Sequence, residues 1–400
     1  MPRESMSAIL VDISRLLYRR FARRLPTGVD RVSLEYLRRY RGVARAVLGL
    51  RGFHFVLPRA ISARIFQFLS DQPAHRFVDW LLVPQLVIAA VSGIWTERKV
   101  GGAILFNTGH MGLSDEKYAR RLRKRGVRPV FMVHDLIPIT HPEFCRRGEG
   151  EKHRRRMQNI LKLGHGIVAN SQETLTSLHD FSRSVTLPLP PTVVAPLAPG
   201  LSGVPVGSCL ITVPYFVVLS TIEPRKNHLM LLHLWRRLRE EMGENTPHLV
   251  IIGQRGWECE NVVDLLERSE ILRGYVFEFS RCTDADLATY LHYAKALLFP
   301  SFVEGYGMPL IEALAAGVPV IASDLKVFRE FAADIPDYVD PLDPQRWLGL
   351  IREYASEGSV RRAAQLERVR TFRLPTWEQH FALLDSLLLQ LDVKQDSPPQ

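Results

Sequence analysis

The chain has 400 residues, of which 46% are hydrophobic and 24% charged, with a formal net charge of +10. That balance excludes a disordered or fibrous chain, and the length suits two domains of ordinary size. Its four cysteines (Cys145, Cys209, Cys259, Cys282) form no CxxC pair, which argues against a zinc module or a disulfide framework and fits a reducing compartment.

Met1–Met6 is polar and the apolar run Ala8–Ile13 is too short for a signal core, so no secretory signal is expected. Ala8–Ile13 reads as the first strand. A loop over Leu25–Arg31 follows, in which Gly28 lets the backbone approach a ligand, and then an amphipathic helix through Tyr40. Three arginine-rich groups stand out: Arg15, Arg19, Arg20, Arg23 and Arg24; the stretch from Arg38 to Arg51; and Arg120–Arg125. Such groups attract nucleic acid, anionic lipid or an anionic substrate, and no nucleic-acid motif accompanies them. A solvated face without a partner is the plain alternative. Residues 42–100 carry no functional assignment. Within them Trp80–Trp95, 16 residues interrupted by Pro84, is too short and broken to span a membrane. It reads as core, with attachment to a membrane face as the second reading.

Ala103–Asn107 reads as a strand leading into Thr108-Gly109-His110. Pro129–Val133 is a stronger strand, leading into His134-Asp135. In open parallel α/β sheets, ligands bind outside the carboxyl ends of strands. His110 and His134 are therefore candidates to position a sugar hydroxyl or phosphate, and satisfied loop histidines are the plain reading. Glu151–Leu163 reads as a charged helix, Gly166–Asn170 as a strand, and Ser171 as the start of a helix. Pro188, Pro190, Pro191, Pro196 and Pro199 then mark a linker. The predicted organisation is a first domain over 1–195, a second over 196–375, a helix over 376–391 packing back on the first, and a disordered tail over 392–400.

The second domain is predicted to open with a strand over Tyr215–Leu219, the turn S-T-I-E-P-R-K-N and a helix over Leu229–Met242. Arg225 and Lys226 are adjacent cations at a strand's carboxyl end, read as exposed, where they can neutralise a leaving diphosphate without a metal. Strands over His248–Gly253 and Tyr275–Phe279 follow, the latter leading into Arg281 and Cys282. The most informative stretch is Leu297–Asp324, which reads strand–loop–helix–strand. Gly305 and Gly307 flank Tyr306, and Met308 follows, just before a helix expected over Leu310–Ala316 with Pro309 at the first helical position. Unpaired amides at 307–310 would attract phosphate. Glu304 and Glu312, with seven residues between them, bracket that position. Carboxylates beside a diphosphate must face neutral hydroxyls, and a nucleotide sugar offers these on both sides.

E-G-Y-G-M-P-L-I-E-A-L-A-A-G-V-P-V-I-A-S resembles the E-x7-E segment of family 4 retaining glycosyltransferases, and the E-P-R-K-N turn is similar to that family's cationic turn, departing at Ser220-Thr221 where some members have Gly-Arg. The resemblance covers almost all of the second domain. In the first it is patchy: P-T-G-V-D-R-V and V-H-D-L-I-P-I-T-H-P-E-F resemble a polysaccharide-building branch. It implies an α/β fold of GT-B architecture, two Rossmann-like domains facing across a cleft. It implies a retaining hexosyltransferase with no metal site and no cofactor beyond the nucleotide-diphosphate sugar. Glu304 would hold sugar hydroxyls and Glu312 the ribose. Arg225 and Lys226 would stabilise the diphosphate, and Gly28, Gly305–Leu310, Arg281 and Cys282 would contact the donor. Asp135 joins His110 and His134 as an acceptor-side candidate. The donor reading leans to GDP-mannose, with UDP-glucose close behind, and the acceptor to a glycan or polyprenyl-diphosphate-linked oligosaccharide. A cytoplasmic location is expected, with peripheral contact to anionic membrane left open. The alternatives are a nucleotide-sugar epimerase or hydrolase of the same fold, and an inactive polyanion-binding relative.

Overall fold

The computed structural model describes residues 8–22, 24, 26–50, 53–70, 100–200 and 211–393. The predicted apolar stretch Trp80–Trp95 lies outside the described residues. The chain divides into two compact units. The first comprises the described residues of Met1–Leu136, Glu151–Pro196 and Trp377–Gln400, and the second Ile137–Gly150 with Leu197–Thr376.

The first unit is built on a seven-stranded sheet in the order β3-β2-β1-β4-β5-β6-β7. Its strands are β1 (Ile9–Asp12), β2 (Arg45–Leu50), β3 (Phe53–Val56), β4 (Ile104–Asn107), β5 (Arg128–Val133), β6 (Gly166–Ala169) and β7 (Thr192–Val194). All pairings are parallel except β2 with β3. The helices are α1 (Ser14–Phe21), α2 (Gly28–Tyr40), α3 (Arg59–Ser70), α4 (Glu116–Lys124), α5 (Glu149–Leu163) and α6 (Gln172–Ser184). The strands of β1, β4 and β5 are buried along their whole length, as parallel strands covered on both faces must be.

Five of these elements, β2, β3, α3, β7 and α1, go beyond the sequence expectation. Residues 42–100 contain an antiparallel pair and a helix. The proline-rich stretch contains β7, an edge strand paired with β6 at Ile167 and Thr192, where preceding prolines cost no ladder bond. The first arginine group is largely a helix, α1, with Leu16 and Leu17 buried on one side.

The same group is also less of a free basic face than its composition implies. Asp30 is 1% exposed. Its carboxylate accepts from the Thr27 amide at 2.7 Å and from Arg15 Nε at 2.8 Å, and it forms an ion pair with Arg19, whose Nε lies 2.7 Å away. Arg20 lies over the Phe68 ring at 4.8 Å. Three of that group's five arginines, read as a basic face for an anionic partner or as solvated surface, are thus held by the protein's own interior, and Asp30 fixes the start of α2 at Thr27 and Gly28.

The last helix, α14 (Trp377–Val393), packs within this unit. His380 bonds through Nδ1 to the Ala195 and Pro196 carbonyls, each at 3.1 Å, and through Nε2 to Tyr36 Oη at 2.9 Å. Asp392, expected in a disordered tail, is helical and pairs with Arg128 at 2.6 Å.

The second unit holds a six-stranded, wholly parallel sheet in the order β10-β9-β8-β11-β12-β13. The strands are β8 (Tyr215–Leu219), β9 (His248–Ile252), β10 (Val276–Phe279), β11 (Leu297–Phe299), β12 (Val320–Ser323) and β13 (Asp337–Val339). Between and after them lie α7 (His228–Met242), α8 (Glu260–Arg268), α9 (Asp284–Tyr293), α10 (Met308–Ala315), α11 (Lys326–Ala332), α12 (Pro344–Ala355) and α13 (Val360–Thr371). Alternate residues face opposite cores. Phe216, Val218, Leu249, Ile251 and Leu298 pack with Trp235 and Trp347, whereas Tyr215, Val217, Val250, Leu297 and Phe299 pack with Leu310, Leu314 and Phe328. The strand order reverses between β8 and β11, and such a switch point opens a crevice at the strands' carboxyl ends.

Asp30→Ala would leave two arginines without their shared carboxylate in a mostly buried setting. We expect a loss of about 2–4 kcal/mol, at the lower end for this class because Arg15 is partly exposed. Urea unfolding measures it. A loss below about 1 kcal/mol, the range of surface pairs, would show that Asp30 does not organise this corner.

Candidate active site

The turn after β8 and the loop after β11 meet at the switch point of the second unit. Glu223–Asn227 forms a tight helical turn, and Asn227 adopts the left-handed conformation (φ 56°) that starts α7. The Phe302 amide donates to Arg225 O at 2.8 Å, and Arg225 Nη1 to Val303 O at 3.1 Å. The two loops are therefore joined through backbone before any carboxylate is involved.

Four charged side chains fill the junction. Arg225 donates through Nη1 to Glu304 Oε2 at 2.8 Å and pairs through Nε with Glu223 Oε1 at 2.6 Å. Lys226 Nζ bonds Glu304 Oε1, which also accepts from Ser301 Oγ at 2.7 Å. The Lys226 ammonium lies 5.2 Å from the centre of the Phe299 ring. Lys226 is 6% exposed and Glu223 4%, and the Glu304 side chain 7%.

Burial alone would raise the Glu304 pKa, but the charges of Arg225 and Lys226, with the Ser301 hydroxyl, outweigh it and hold it down at about 2. Burial, reinforced by Arg225, lowers Lys226 below the usual lysine value. Burial raises Glu223 despite Arg225. His228, bonded to Ser220 Oγ at 3.2 Å, falls to about 3 through burial and the nearby Lys226 charge. The site thus brings two basic and two acidic side chains together, with Lys226 buried rather than exposed as expected.

Glu304 is followed by Gly305-Tyr306-Gly307 and α10. Gly307 has φ 115°, and an added Cβ would lie 2.6 Å from Phe328 Cε1, so only glycine fits the helix start. Of the amides expected to face an anion, that of Leu310 donates to Gly307 O at 3.0 Å, and Pro309 has none. The anion-facing donors contract to the amides of Gly307 and Met308. The Leu310 side chain is fully buried, and Tyr306 is buried with its hydroxyl on Leu197 O at 2.6 Å. These two side chains support the loop rather than line a site. Glu312 is buried on α10, 5% exposed. Arg281 and half-buried Cys282 follow β10, the edge strand, with β9 between them and the charge cluster. Burial with Asp286 and Asp284 nearby pushes the Cys282 thiol up to about 11, so it is neutral at pH 7.

In the first unit the strand order reverses between β1 and β4, and the histidines gather beside it. The His110 and His134 rings are 5.5 Å apart and those of His110 and His153 are 6.2 Å apart. Each uses Nε2 on a main-chain carbonyl: His110 on Met132, His134 on Thr108 at 2.7 Å, His153 on Asp135 at 3.1 Å. His110 takes the left-handed conformation (φ 58°), with its amide on Asn107 Oδ1 at 3.0 Å. Burial lowers the pKa of both His110 and His134, and for His110 the neighbouring histidines add to it. Both are neutral at pH 7, with Nε2 donating and Nδ1 the accepting atom. Asp135 is half-buried beside them, and Gly28 is the first residue of α2. Among the described residues no group of three His, Cys, Asp or Glu is placed to hold a metal ion.

The family model for glycosyl transferases group 1 matches residues 212–364, which fall inside the second unit. The chain carries a group 1 glycosyltransferase domain. Over 381 residues, 88% of this glycosyltransferase and 93% of the relative, it is 27% identical to the O-antigen chain mannosyltransferase B of Escherichia coli. It is also 27% identical over 267 residues to the serotype-specific mannosyltransferase WbdA of Escherichia coli, a match covering 31% of that longer protein and 58% of this chain. Among solved structures, Anabaena HepE in complex with UDP and glucose aligns with a TM-score of 0.64 at 14% identity, covering 97% of this chain and all of that one. The fold is that of GT-B glycosyltransferases.

Glu223, Ser301 and His153 were not singled out from sequence. Glu223 stood inside the quoted turn, but nothing in a lone glutamate beside Arg225 marks it as buried. His153 sits in a charged helix pattern, and only the fold turns it toward His110.

The depressed Glu304 value makes stability depend on pH. Its charged form is stabilised above the ordinary glutamate value of 4.5, and that contribution is lost as pH falls toward about 2. Its size is about 3 kcal/mol, at roughly 1.4 kcal/mol per unit. Glu304→Gln should therefore be less stable than wild type at neutral pH, and the gap should close below about pH 4. Urea melts of both proteins across that range test it. A gap that does not change with pH would mean that the carboxylate charge is not what matters.

Proposed function

We propose that this glycosyltransferase moves mannose from GDP-mannose to a glycan or polyprenyl-diphosphate-linked acceptor during surface polysaccharide synthesis, with retention and without a metal ion. UDP-glucose is the second donor candidate. The reading is carried by one observation: Arg225, Lys226 and Glu304 are brought together at the β8–β11 switch point, beside the amides of Gly307 and Met308. Mannosyltransferase names among the relatives support the donor.

The chemistry follows from the groups present. A diphosphate at the α10 start would take charge-assisted bonds from Arg225 and Lys226 and from the two amides. Glu304 already accepts from Ser301 and Lys226 on Oε1 and from Arg225 on Oε2. A carboxylate has roughly four acceptor positions, so Oε2 retains capacity for a sugar hydroxyl. Glu304 would thereby tie the sugar's orientation to the cations that take up the leaving charge. Glu312 would hold the ribose. The acceptor hydroxyl would attack on the face the diphosphate leaves, giving up its proton to a diphosphate oxygen. Neutral His110 and His134, with Asp135, would orient the acceptor in the first unit. Among the described residues no helix is long and apolar enough to cross a membrane, and peripheral contact with anionic lipid is part of the proposal. An epimerase or hydrolase would release free sugar without acceptor, and an inactive relative would turn over no donor.

Ribose contacts act equally in ground and transition states, whereas sugar-side contacts matter most as charge develops. Glu304→Gln should therefore lower kcat with little change in donor KM, and Glu312→Gln should mainly raise KM. The reverse pattern would mean that the donor lies in the opposite direction. Activity should also persist in excess EDTA, because side-chain cations and amides do the metal's work. Loss on chelation with recovery on adding Mn²⁺ or Mg²⁺ would reveal a metal-dependent reaction.

A further inference from the structure

Residues 137–150 run in the chain from beyond β5 into the first turn of α5, yet they belong to the second unit. The segment is folded on itself, with the His141 amide on Ile137 O at 2.8 Å and that of Cys145 on Pro142 O at 3.0 Å. Phe144 and Arg146 fix it to the loop after β11, which carries Glu304, and to the loop after β9. The Phe144 ring stacks on Phe302 with centroids 5.4 Å apart and planes 1° from parallel. Trp257 Nε1 donates to Phe144 O at 3.0 Å, and Arg146 covers the Trp257 ring at 5.2 Å. His141 lies nearly parallel to Phe144, 6.2 Å away.

Phe302 is a sensitive place to be held. Its amide bonds Arg225 O, its neighbour Val303 supplies the carbonyl that accepts from Arg225 Nη1, and Glu304 comes next. A shift of Phe302 moves both groups that aim the Arg225 guanidinium. Phe302 is half-buried, and among the described residues its ring partner is Phe144. Displacements of about 1 Å in such a set cost up to about a hundredfold in rate.

We infer that Phe144, anchored by Trp257, is a positioning residue for the Arg225–Glu304 set, so that a segment inserted from the first half of the chain completes the donor site. Phe144 touches no reacting atom in this account. It works by holding Phe302, and hence the Arg225 carbonyl contact and Glu304, in register. The inference rests on the proposed role of Arg225 and Glu304 toward the donor.

The test is steady-state kinetics on the full chain for Phe144→Ala, Phe144→Tyr, Arg225→Ala and the double variant Phe144→Ala/Arg225→Ala, each with a melting curve. Phe144→Ala should lower kcat about tenfold to a hundredfold with donor KM within about threefold of wild type. Phe144→Tyr, which keeps the stack, should recover to within about threefold. The double variant should be no slower than Arg225→Ala, because both act on one set. A folded Phe144→Ala with wild-type kcat, or full additivity in the double variant, would overturn the inference. A wild-type rate for Arg225→Ala would instead overturn the reading beneath it. Should Phe144→Ala fail to fold, Trp257→Phe decides, since it keeps an aromatic ring for Arg146 and loses the bond to Phe144 O. We expect its kcat at least about threefold lower, and no change would overturn the inference.

Discussion

Two cations and two carboxylates share the ends of β8 and β11, and none of them tolerates burial alone. Removing a single ion from water costs several kcal/mol even after relaxation, and mutual attraction offsets that cost only if every charge has a partner at bonding distance. Glu304 meets the condition by accepting from Arg225, Lys226 and Ser301, while Glu223 takes the second edge of Arg225. The loops around them are shaped by this requirement. Gly307 allows α10 to start against Phe328, Asn227 turns the chain into α7, and the Phe302 amide closes on Arg225 O. A pre-balanced cluster also suits a dianionic diphosphate, whose arrival shifts existing bonds rather than creating charge in a dry site.

Much of this was legible in the sequence because it is local. The Tyr215–Leu219 strand and the strand–loop–helix order of Leu297–Asp324 follow from apolar runs and from glycine and proline placement, and the structure keeps both. The pairing of the E-P-R-K-N turn with the Glu304 loop followed from resemblance. What was not legible is long-range. Lys226 read as exposed because a loop lysine normally is, and only the approach of Glu304, from 78 residues away in the chain, buries it. Asp30 turns Arg15 and Arg19 inward in the same way. β2, β3 and α3 were missed where arginines and mixed patterning obscure the period, and β7 where prolines read as linker. The place of residues 137–150 in the second unit is a matter of contacts that no local pattern encodes.

The first unit contributes chemistry of another kind. Beside its switch point, burial keeps His110 and His134 uncharged, and the carbonyls of Met132 and Thr108 fix which ring nitrogen carries the proton. The His134 carbonyl is in turn held by Asn170 at 2.9 Å. Neutral, oriented donors and acceptors suit the hydroxyls of a glycan, as balanced ion pairs suit a diphosphate. Asp12 nearby has its pKa raised by burial to about 6 despite bonds from Ser14 and Tyr118.

The claim that the buried cations of the second unit receive a nucleotide diphosphate is tested most directly by binding. The measurement is a thermal-shift titration with GDP-mannose in excess EDTA, on wild type and Lys226→Ala. The account predicts a rise in the wild-type melting temperature with GDP-mannose and little or none in Lys226→Ala. An equal rise in both proteins would contradict it.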